Sequence, residues 1–277
     1  MRHQASTREP PPLSPADAAA LRRRFHEARR DPRLALLEGL HAVKHALRFG
    51  AEITCIAVAD PERVGALAAS LAPDVAERLA RGARVLGDAD FAALAPHPPA
   101  TGVIAIAARP PTAVTEILLD PRPAPIVLLE APSDLGNLGA CIRVSAAADA
   151  AGVLTGGVHD PWDPAALRGS AGLHFALPVA HLDDGALRRL TMQPEAGRGE
   201  RPLLAVHPDG EALHPRELPP RSLLAFGGER RGLSPELLAQ ADARVRLPMR
   251  AGVSSLNLAT SVAALLYGWK LSHEPTP

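Results

Sequence analysis

The chain has 277 residues, 47% of them hydrophobic, and its 30 basic and 30 acidic side chains give a formal charge of zero. This length and composition predict a globular protein with enough apolar residues for two domains. The zero charge argues mildly against a nucleic-acid partner. Because no run of about 18 apolar residues predicts a membrane span and the N-terminus lacks the apolar centre of a secretory signal, we expect no membrane association and a cytoplasmic location.

The charges are distributed unevenly along the chain. Residues 1–110 carry 15 Lys and Arg against 12 Asp and Glu, whereas the remainder carries 15 against 18. The first part is therefore net positive and the second net negative. A surface that binds phosphates is expected near the N-terminus.

The two cysteines, Cys55 and Cys141, lie far apart in the sequence and inside apolar runs. Neither has a partner at a metal-binding or redox spacing such as CxxC. We expect both to be reduced thiols in the core, and no metal site is predicted.

The first part of the chain alternates between helix and strand. Residues 1–30 are predicted to form a flexible, proline-rich tail and a helix capped by Ser14. The patterns that follow predict helices over 36–49, 61–81 and 88–95 and strands over 52–59, 83–87 and 101–108. They indicate a small α/β domain over residues 31–109. The proline-punctuated segment 110–123 is typical of a linker.

A second alternating region follows over residues 124–273. The predicted strands cover 125–131, 152–157, 175–180, 202–207, 222–228 and 244–249, and the predicted helices cover 137–149, 164–170, 183–191, 234–241 and 255–272. Strands and helices of these lengths in alternation predict a mostly parallel sheet covered on both faces. The fold class is therefore α/β.

The first polar cluster, DLGNLGACIR, follows an apolar strand and opens a helix. Gly136 and Gly139 allow backbone to approach a ligand, and Asn137 can cap the helix. Arg143 lies about one and a half turns further on, where its guanidinium can reach a phosphate. The alternative is an ordinary helix cap followed by a surface arginine.

The second cluster is the glycine-rich segment FGGERRGLS, which begins at Phe226 and ends at Ser234. It follows a predicted strand and precedes a helix that Ser234 can cap. Such a loop can surround a small ligand with backbone groups, although an ordinary turn explains the same residues.

The third cluster, LPMRAGVSSLNLA, runs into a helix that is apolar almost all round. Such a helix belongs in a core or an interface, yet its start carries the polar side chains of Ser255 and Asn257. A ligand or a partner chain at the start of this helix would satisfy both side chains.

In order and spacing, the segments DLGNLGACIRVSA, GGERRGLS and LPMRAGVSSLNLA resemble the three motifs of the SpoU/TrmH family of SPOUT methyltransferases. The resemblance extends over residues 33–272. The departures are Leu135, Ser254 and Leu258, which replace a common proline, acidic residue and valine. The resemblance implies a C-terminal SPOUT domain with a parallel sheet and a deep trefoil knot over 222–272, together with a small N-terminal α/β/α substrate-binding domain.

The resemblance also implies an S-adenosylmethionine-dependent RNA methyltransferase, active as a homodimer, that methylates a ribose 2′-hydroxyl in tRNA or rRNA. Arg143 would activate the hydroxyl, and Glu229 would orient Arg143 or fix its own loop. The remaining catalytic candidates are Asn137, Ser255 and Asn257. The candidates for cofactor binding are Phe226, Gly227, Gly228, Gly232, Leu247, Met249, Ser255 and Leu256.

Basic residues near the N-terminus are the candidates for RNA binding. In the predicted helix 36–49, Leu36, Leu40, Val43 and Leu47 form an apolar stripe on one face. The RNA-binding candidates are Arg22, Arg23, Arg24, His41, Lys44, His45 and Arg48. A charged stripe of this kind is also typical of a solvated face.

Two other functions are compatible with parts of the sequence. A non-catalytic RNA-binding protein would keep the fold without methyl transfer, but the retained Asn137, Arg143 and Glu229 argue against it. A nucleotide-dependent oxidoreductase is disfavoured because the GxGxxG fingerprint is missing. Within the methyltransferase interpretation, transfer to a base instead of the ribose stays open.

Overall fold

The computed structural model describes residues 13–192, 200–212 and 214–273. The chain divides into two compact units, residues 1–109 and 110–277. Most of the predicted N-terminal tail lies outside the described residues. Among the described residues, no helix combines the length and the apolarity that crossing a membrane requires.

The first unit contains a four-stranded sheet and its surrounding helices. Its elements are α1 (Pro15–Ala28), β1 (Leu34–Glu38), α2 (Leu40–Arg48), β2 (Ile53–Val58), α3 (Pro61–Leu71), α4 (Ala76–Gly82), β3 (Ala83–Val85), α5 (Asp88–Ala92) and β4 (Val103–Ala108). The strand order is β1-β4-β2-β3, in which β4 runs antiparallel to both neighbours and β2 pairs with β3 in parallel. One core of this unit joins α1 to the sheet through Phe25, Leu36 and Ile104. The predicted cap is confirmed, since Ser14 Oγ accepts from Asp17 N.

Two predicted helices of the first unit are wrong in part. Residues 34–38 form strand β1, buried and paired with β4, so Leu36 is not part of the stripe on α2. The strand is buried on both faces, so its sequence LALLE is a continuous apolar run without the alternation typical of a strand. Such a short run cannot be distinguished from a helical turn by its pattern alone. The helix predicted over 61–81 is broken after Leu71, because Pro73 disfavours helical backbone at Ala72.

The second unit contains a six-stranded parallel sheet, as predicted. Its elements are α6 (Val114–Leu118), β5 (Ile126–Glu130), α7 (Leu135–Ala147), β6 (Gly152–Thr155), α8 (Pro164–Gly169), β7 (Val179–His181), α9 (Asp184–Met192), β8 (Leu203–Ala212), β9 (Leu223–Gly227), α10 (Pro235–Gln240), β10 (Ala243–Arg246) and α11 (Leu258–His273), with short 3₁₀ turns over Leu173–Phe175 and Pro215–Glu217. The strand order is β10-β8-β9-β5-β6-β7. All of the strand pairs in this sheet are parallel.

The segment 110–123, predicted as a linker, is instead packed into the second unit. It contains α6, whose Ile117 and Leu118 are buried. The guanidinium of Arg201, itself only 1% exposed, donates to the carbonyl oxygens of Leu118, Asp120 and Ala124 at 3.0, 2.7 and 2.9 Å. Buried carbonyl groups need such partners, and an arginine far along the chain supplies them.

Two further boundaries differ from the prediction. The strand predicted over 175–180 begins only at Val179, because the preceding residues form a 3₁₀ turn. The last helix begins at Leu258 instead of Ser255, so Ser255 and Asn257 lie in an exposed segment before it.

Helices α7 and α8 pack with their backbones in contact. A Cβ atom on Gly139 would lie 2.2 Å from the carbonyl oxygen of Ala166 and 2.8 Å from Ser170 N. The expectation that Gly139 admits a ligand is therefore wrong, since its missing side chain admits α8 instead. The nearby Gly136 is exposed, and a Cβ atom there would meet only the Asp134 side chain, at 3.1 Å.

Both cysteines are buried and form no disulfide. Burial raises the pKa of the Cys55 thiol. Burial also raises the pKa of Cys141, and the nearby Glu229 carboxylate raises it further. Both thiols stay protonated at neutral pH, which agrees with the predicted role as core residues.

Candidate functional site

The carboxyl ends of β5 and β9 form the base of the site. Glu130 and Gly227, the last residues of these strands, are partners in register. The loops that follow are in backbone contact, because a Cβ atom on Gly228 would lie 2.3 Å from the carbonyl oxygen of Ala131. Ala131 itself has a φ of 49°, in the left-handed region. Only glycine permits this approach at position 228.

Glu130 ties the glycine-rich loop to the end of β5. Its carboxylate accepts from Ser234 N at 2.7 Å and from Ser234 Oγ at 2.6 Å. Ser234 Oγ also accepts from Leu237 N, which confirms Ser234 as the cap of α10. One carboxylate therefore fixes both the loop and the helix that follows it.

Glu229 lies within this loop and binds the start of α7. Its Oε2 accepts from Ser133 N at 2.9 Å and from Ser133 Oγ at 2.8 Å. Its Oε1 accepts from Asn137 Nδ2 at 2.9 Å. Partial desolvation raises the pKa of Glu229, but the hydrogen bonds from Ser133 and Asn137 outweigh it and lower the pKa to about 2. The side chain is therefore a carboxylate at neutral pH.

Asn137 connects Glu229 to the segment before α11. Its Oδ1 accepts from Asn257 Nδ2 at 2.9 Å, and Asn257 Oδ1 accepts from Thr260 N at 3.2 Å. The backbone N–H of Asn137 donates to Asp134 Oδ1 at 2.7 Å, so Asp134 caps α7. The cap expected at Asn137 is thus wrong, and the Asn137 side chain is available for the contact with Asn257.

Arg143 is exposed on α7 and, in the part of the chain that the structure describes, makes no hydrogen bond or ion pair. Among these described residues, Glu229 thus shares no hydrogen bond or ion pair with Arg143. Of the two expected roles of Glu229, the structure is consistent with fixing the loop.

A cavity of about 510 Å³ lies beside these residues. Its walls include all eight residues predicted for cofactor binding: Phe226, Gly227, Gly228, Gly232, Leu247, Met249, Ser255 and Leu256. Glu229 and Asn257 also line it, so the cavity and the hydrogen-bonded chain share two side chains. The second and third sequence clusters are thereby brought together, and the first cluster joins them through Asn137.

One wall of the cavity was not predicted. It consists of Val206, His207 and Pro208 on β8, and Arg246 on β10 also lines the cavity. In β10 the neighbouring residues Arg244 and Val245 pair with Ala205 and Glu211, so the pairing of β8 with β10 is interrupted over residues 206–210. The sequence Pro208-Asp209-Gly210, a turn signal directly after the strand predicted over 202–207, lies inside the observed strand β8 and indicates such an irregularity. Sequence reasoning also missed Ser133, which lies outside all three clusters.

The predicted RNA-binding residues all lie in the first unit, and several are engaged within it. Arg22 pairs with Asp90 at 2.9 Å, and Arg24 donates to the carbonyl oxygen of Thr54 at 2.9 Å. Arg48 forms two hydrogen bonds of 2.7 Å with Asp74. The remaining candidates are Arg23, which is exposed on α1, and His41, Lys44 and His45 on α2.

Comparison with known proteins identifies related sequences. An uncharacterized tRNA/rRNA methyltransferase of Mycobacterium tuberculosis is 34% identical over 176 residues, which cover 60% of this chain and 58% of that protein. A 23S rRNA guanosine 2′-O-methyltransferase of Bacillus subtilis is 33% identical over 152 residues, which cover 51% of this chain and 56% of that protein. The matched part thus spans less than two thirds of the length of either relative.

A solved structure and a family model give similar matches. A crystal structure of an AdoMet-bound rRNA methyltransferase from Sinorhizobium meliloti matches with a TM-score of 0.70 at 26% identity and covers 97% of this chain and 99% of that one. Residues 124–267, more than half of the chain, match the model of the SpoU rRNA Methylase family. The chain therefore belongs to the SpoU rRNA methylase family.

Proposed function

We propose that this protein is an S-adenosylmethionine-dependent methyltransferase that acts on the ribose 2′-hydroxyl of a nucleotide in structured tRNA or rRNA. The observation that carries the proposal is the hydrogen-bonded chain of Glu229, Asn137 and Asn257 beside the cavity. It joins residues from all three motifs at one place. The names of the related methyltransferases support the same reaction and the same cofactor.

The cavity fits S-adenosylmethionine in size and in chemistry. Its volume of about 510 Å³ lies within the range of roughly 300–1,000 Å³ that small-molecule sites occupy. Apolar side chains of Phe226, Leu247 and Leu256 suit the adenine ring, while Ser255 and Asn257 offer hydrogen bonds to polar groups. When bound, the cofactor supplies an activated methyl group on a sulfonium.

The residues of the site limit how the hydroxyl is activated. The 2′-oxygen must approach the methyl carbon in line and lose its proton as the new bond forms. Glu229, whose pKa is lowered to about 2 by hydrogen bonds that outweigh its desolvation, is too weak a base for this proton. A guanidinium stays protonated in proteins, so Arg143 is not an ordinary base either. Arg143 instead binds the neighbouring phosphate and polarises the hydroxyl, and a phosphate oxygen or water takes the proton.

Residues 31–109 of the first unit serve as the RNA-binding domain, and helix α1, which precedes them in the same unit, adds further basic residues. Its proposed contacts are Arg22, Arg23, Arg24, His41, Lys44, His45 and Arg48. Arg23 supports the proposal most directly, because it is exposed and, among the described residues, has no hydrogen bond or ion pair. Ion pairs and backbone contacts of the other arginines reduce the charge that they offer to phosphates.

We also propose that residues 222–272 form a trefoil knot and that the protein is a homodimer. The exposed side chains of Tyr267 and Leu271 on α11 and the exposed segment 251–257 support an interface at this end of the chain. Light scattering at micromolar concentration should give twice the 29.0 kDa of the chain. A monomer alone would contradict the dimer.

The reaction is tested with purified protein, tritiated S-adenosylmethionine and total RNA from cells that lack the gene. Nucleosides from the labelled RNA are then separated. A labelled 2′-O-methylnucleoside is expected, and its base identifies the target nucleotide. Label on a base would keep methyl transfer but change the acceptor atom. Cofactor binding without label in any RNA fraction would favour the non-catalytic RNA-binding protein.

A further inference from the structure

Asn137 and Asn257 lie within a series of hydrogen bonds that runs from the Glu229 carboxylate to the backbone N–H of Thr260. The groups at the two ends determine how both side-chain amides are oriented. An ionised carboxylate only accepts hydrogen bonds, so Asn137 must turn its NH₂ group to Glu229 and its oxygen to Asn257. At the other end, the backbone N–H of Thr260 only donates, so Asn257 must turn its oxygen to Thr260. Both ends require the same arrangement, which the 2.9 Å contact between the two amides completes.

This arrangement determines what the site offers to a substrate. Each NH₂ group donates one of its two N–H bonds within this hydrogen-bonded series, Asn137 to Glu229 and Asn257 to Asn137. Among the described residues, the second N–H of each group has no protein acceptor. Both carbonyl oxygens already accept. Asn137 and Asn257 therefore present donors, which suit the phosphate and hydroxyl oxygens of RNA.

Ser133 holds the carboxylate on which this order depends. Its backbone N–H and its hydroxyl both donate to Oε2 of Glu229, at 2.9 and 2.8 Å. Within the described part of the chain, these are two of the three hydrogen bonds from other residues that reach the Glu229 carboxylate. Hydrogen bonds to charged groups are stronger than those between neutral groups, so the hydroxyl adds a charge-assisted bond to the one that the Ser133 backbone N–H makes with the same oxygen.

We propose that Ser133 is a positioning residue for methyl transfer: it anchors Glu229, and Glu229 in turn holds the amides of Asn137 and Asn257 with their N–H groups directed to RNA oxygen atoms. The identity of the substrate in this inference rests on the proposed function. Among the described side chains of the site, Ser133 hydrogen-bonds only that of Glu229.

The proposal is tested with the full-length protein and the variants Ser133→Ala and Ser133→Thr. Alanine removes the hydroxyl, whereas threonine keeps it, and Ser133 is exposed, so the extra methyl group has room. We expect Ser133→Ala to lower kcat roughly tenfold at saturating RNA, while calorimetry gives a Kd for S-adenosylmethionine within about twofold of the wild type. Ser133→Thr should restore most of the rate.

Ser14→Ala is the matched control. Like Ser133→Ala, it removes a serine hydroxyl that donates to a carboxylate near a helix start, here Oδ2 of Asp17 at 2.7 Å, but in the first unit. It should lower thermal stability slightly and leave kcat unchanged. A rate loss in Ser133→Ala with no recovery in Ser133→Thr would overturn the proposal, as would an unchanged rate in Ser133→Ala.

A second readout does not depend on activity. The side-chain NH₂ resonances of Asn137 and Asn257 in ¹⁵N spectra should shift in Ser133→Ala and stay near the wild-type positions in Ser133→Thr and Ser14→Ala. Unshifted resonances in Ser133→Ala would contradict the role of Ser133. If the wild-type protein methylates no RNA, the proposed function fails, while these spectra still decide whether Ser133 orders the amides.

Discussion

Asn137 accepts a hydrogen bond of 2.9 Å from the side-chain amide of Asn257, although 120 residues separate them in the sequence. On its other side, Asn137 donates to Glu229, 92 residues away. The start of α7, the glycine-rich loop and the start of α11 are thereby joined through a single amide. A substitution at any of the three side chains is expected to affect the other two.

Glu229→Gln should reverse the order of the amides. The Gln oxygen would accept from Ser133, which leaves its NH₂ group facing the NH₂ group of Asn137. If both asparagines rotate, Asn257 no longer accepts from Thr260 and α11 loses its cap. We expect kcat to fall about 10- to 100-fold and stability to fall by about 1 kcal/mol, measured by single-turnover kinetics and thermal unfolding.

The control for this substitution is Glu236→Gln, which makes the same change at an exposed position in the first turn of α10. It should leave kcat unchanged. A fully active Glu229→Gln protein would show that the donor and acceptor order of the two asparagine amides does not matter for the reaction.

The contribution of Glu229 to stability should depend on pH. Its pKa in the folded protein is lowered from 4.5 to about 2, because hydrogen bonds from Ser133 and Asn137 outweigh the effect of desolvation. A lowered pKa contributes stability above pH 4.5 that is lost as the pH falls towards 2. The difference in melting temperature between the wild type and Glu229→Gln should therefore shrink over this interval. A difference that stays constant from pH 7 to about pH 3 would contradict the assignment.

Arg143→Ala should abolish turnover with little loss of cofactor binding. The guanidinium is exposed on α7 and is not among the residues that line the cavity. Calorimetry should give a Kd for S-adenosylmethionine within about twofold of the wild type, while tritium transfer falls by at least about 100-fold. Arg189→Ala on α9 is a control for the loss of an exposed arginine. Near-normal turnover in Arg143→Ala would refute the assigned role.

The same substitution should have opposite effects on stability at two glycines. Gly139→Ala places a methyl group 2.2 Å from the carbonyl oxygen of Ala166, so α7 and α8 must separate. We expect a loss of about 3 kcal/mol or more. Gly65→Ala lies on an exposed side of α3 with no atom within 4 Å of the new methyl group, and it should stabilise by about 0.5–1 kcal/mol. Calorimetric melting temperatures that move in the same direction would contradict this packing.

RNA binding by the first unit is tested through its salt dependence. Removing Arg23 and Lys44 together should weaken binding and reduce the slope of log K against log salt by about 2, since each phosphate contact contributes about 0.9. Arg33→Ala removes an exposed arginine that is paired with Asp31 at 2.7 Å, so it should change the slope less. An unchanged slope in the double variant would place the RNA contacts elsewhere.

The sequence by itself determined the fold class of the second unit and the motif residues that meet in its candidate site. Parallel strands leave their carboxyl ends at one edge of a sheet, so the polar residues that follow β5 and β9 lie at the same edge. Spacing and hydrophobic pattern were enough to predict the six parallel strands, and the motifs identified Asn137, Glu229 and Asn257. Hydrophobic periodicity depends only on residues near each other in the sequence, so it predicts strands and helices without knowledge of tertiary contacts.

Tertiary structure alone decided which partners these residues have. From the sequence, Gly139 was expected to let the backbone approach a ligand. In the structure, the backbone of α8 occupies the space where a side chain at this position would be. Segment 110–123 has the composition of a linker, yet Arg201 satisfies its carbonyl groups. Ser133 carries no signal of its own, because its role depends on a carboxylate 96 residues away. Contacts between distant residues follow from packing and from the pairing of buried polar groups, which no local pattern encodes.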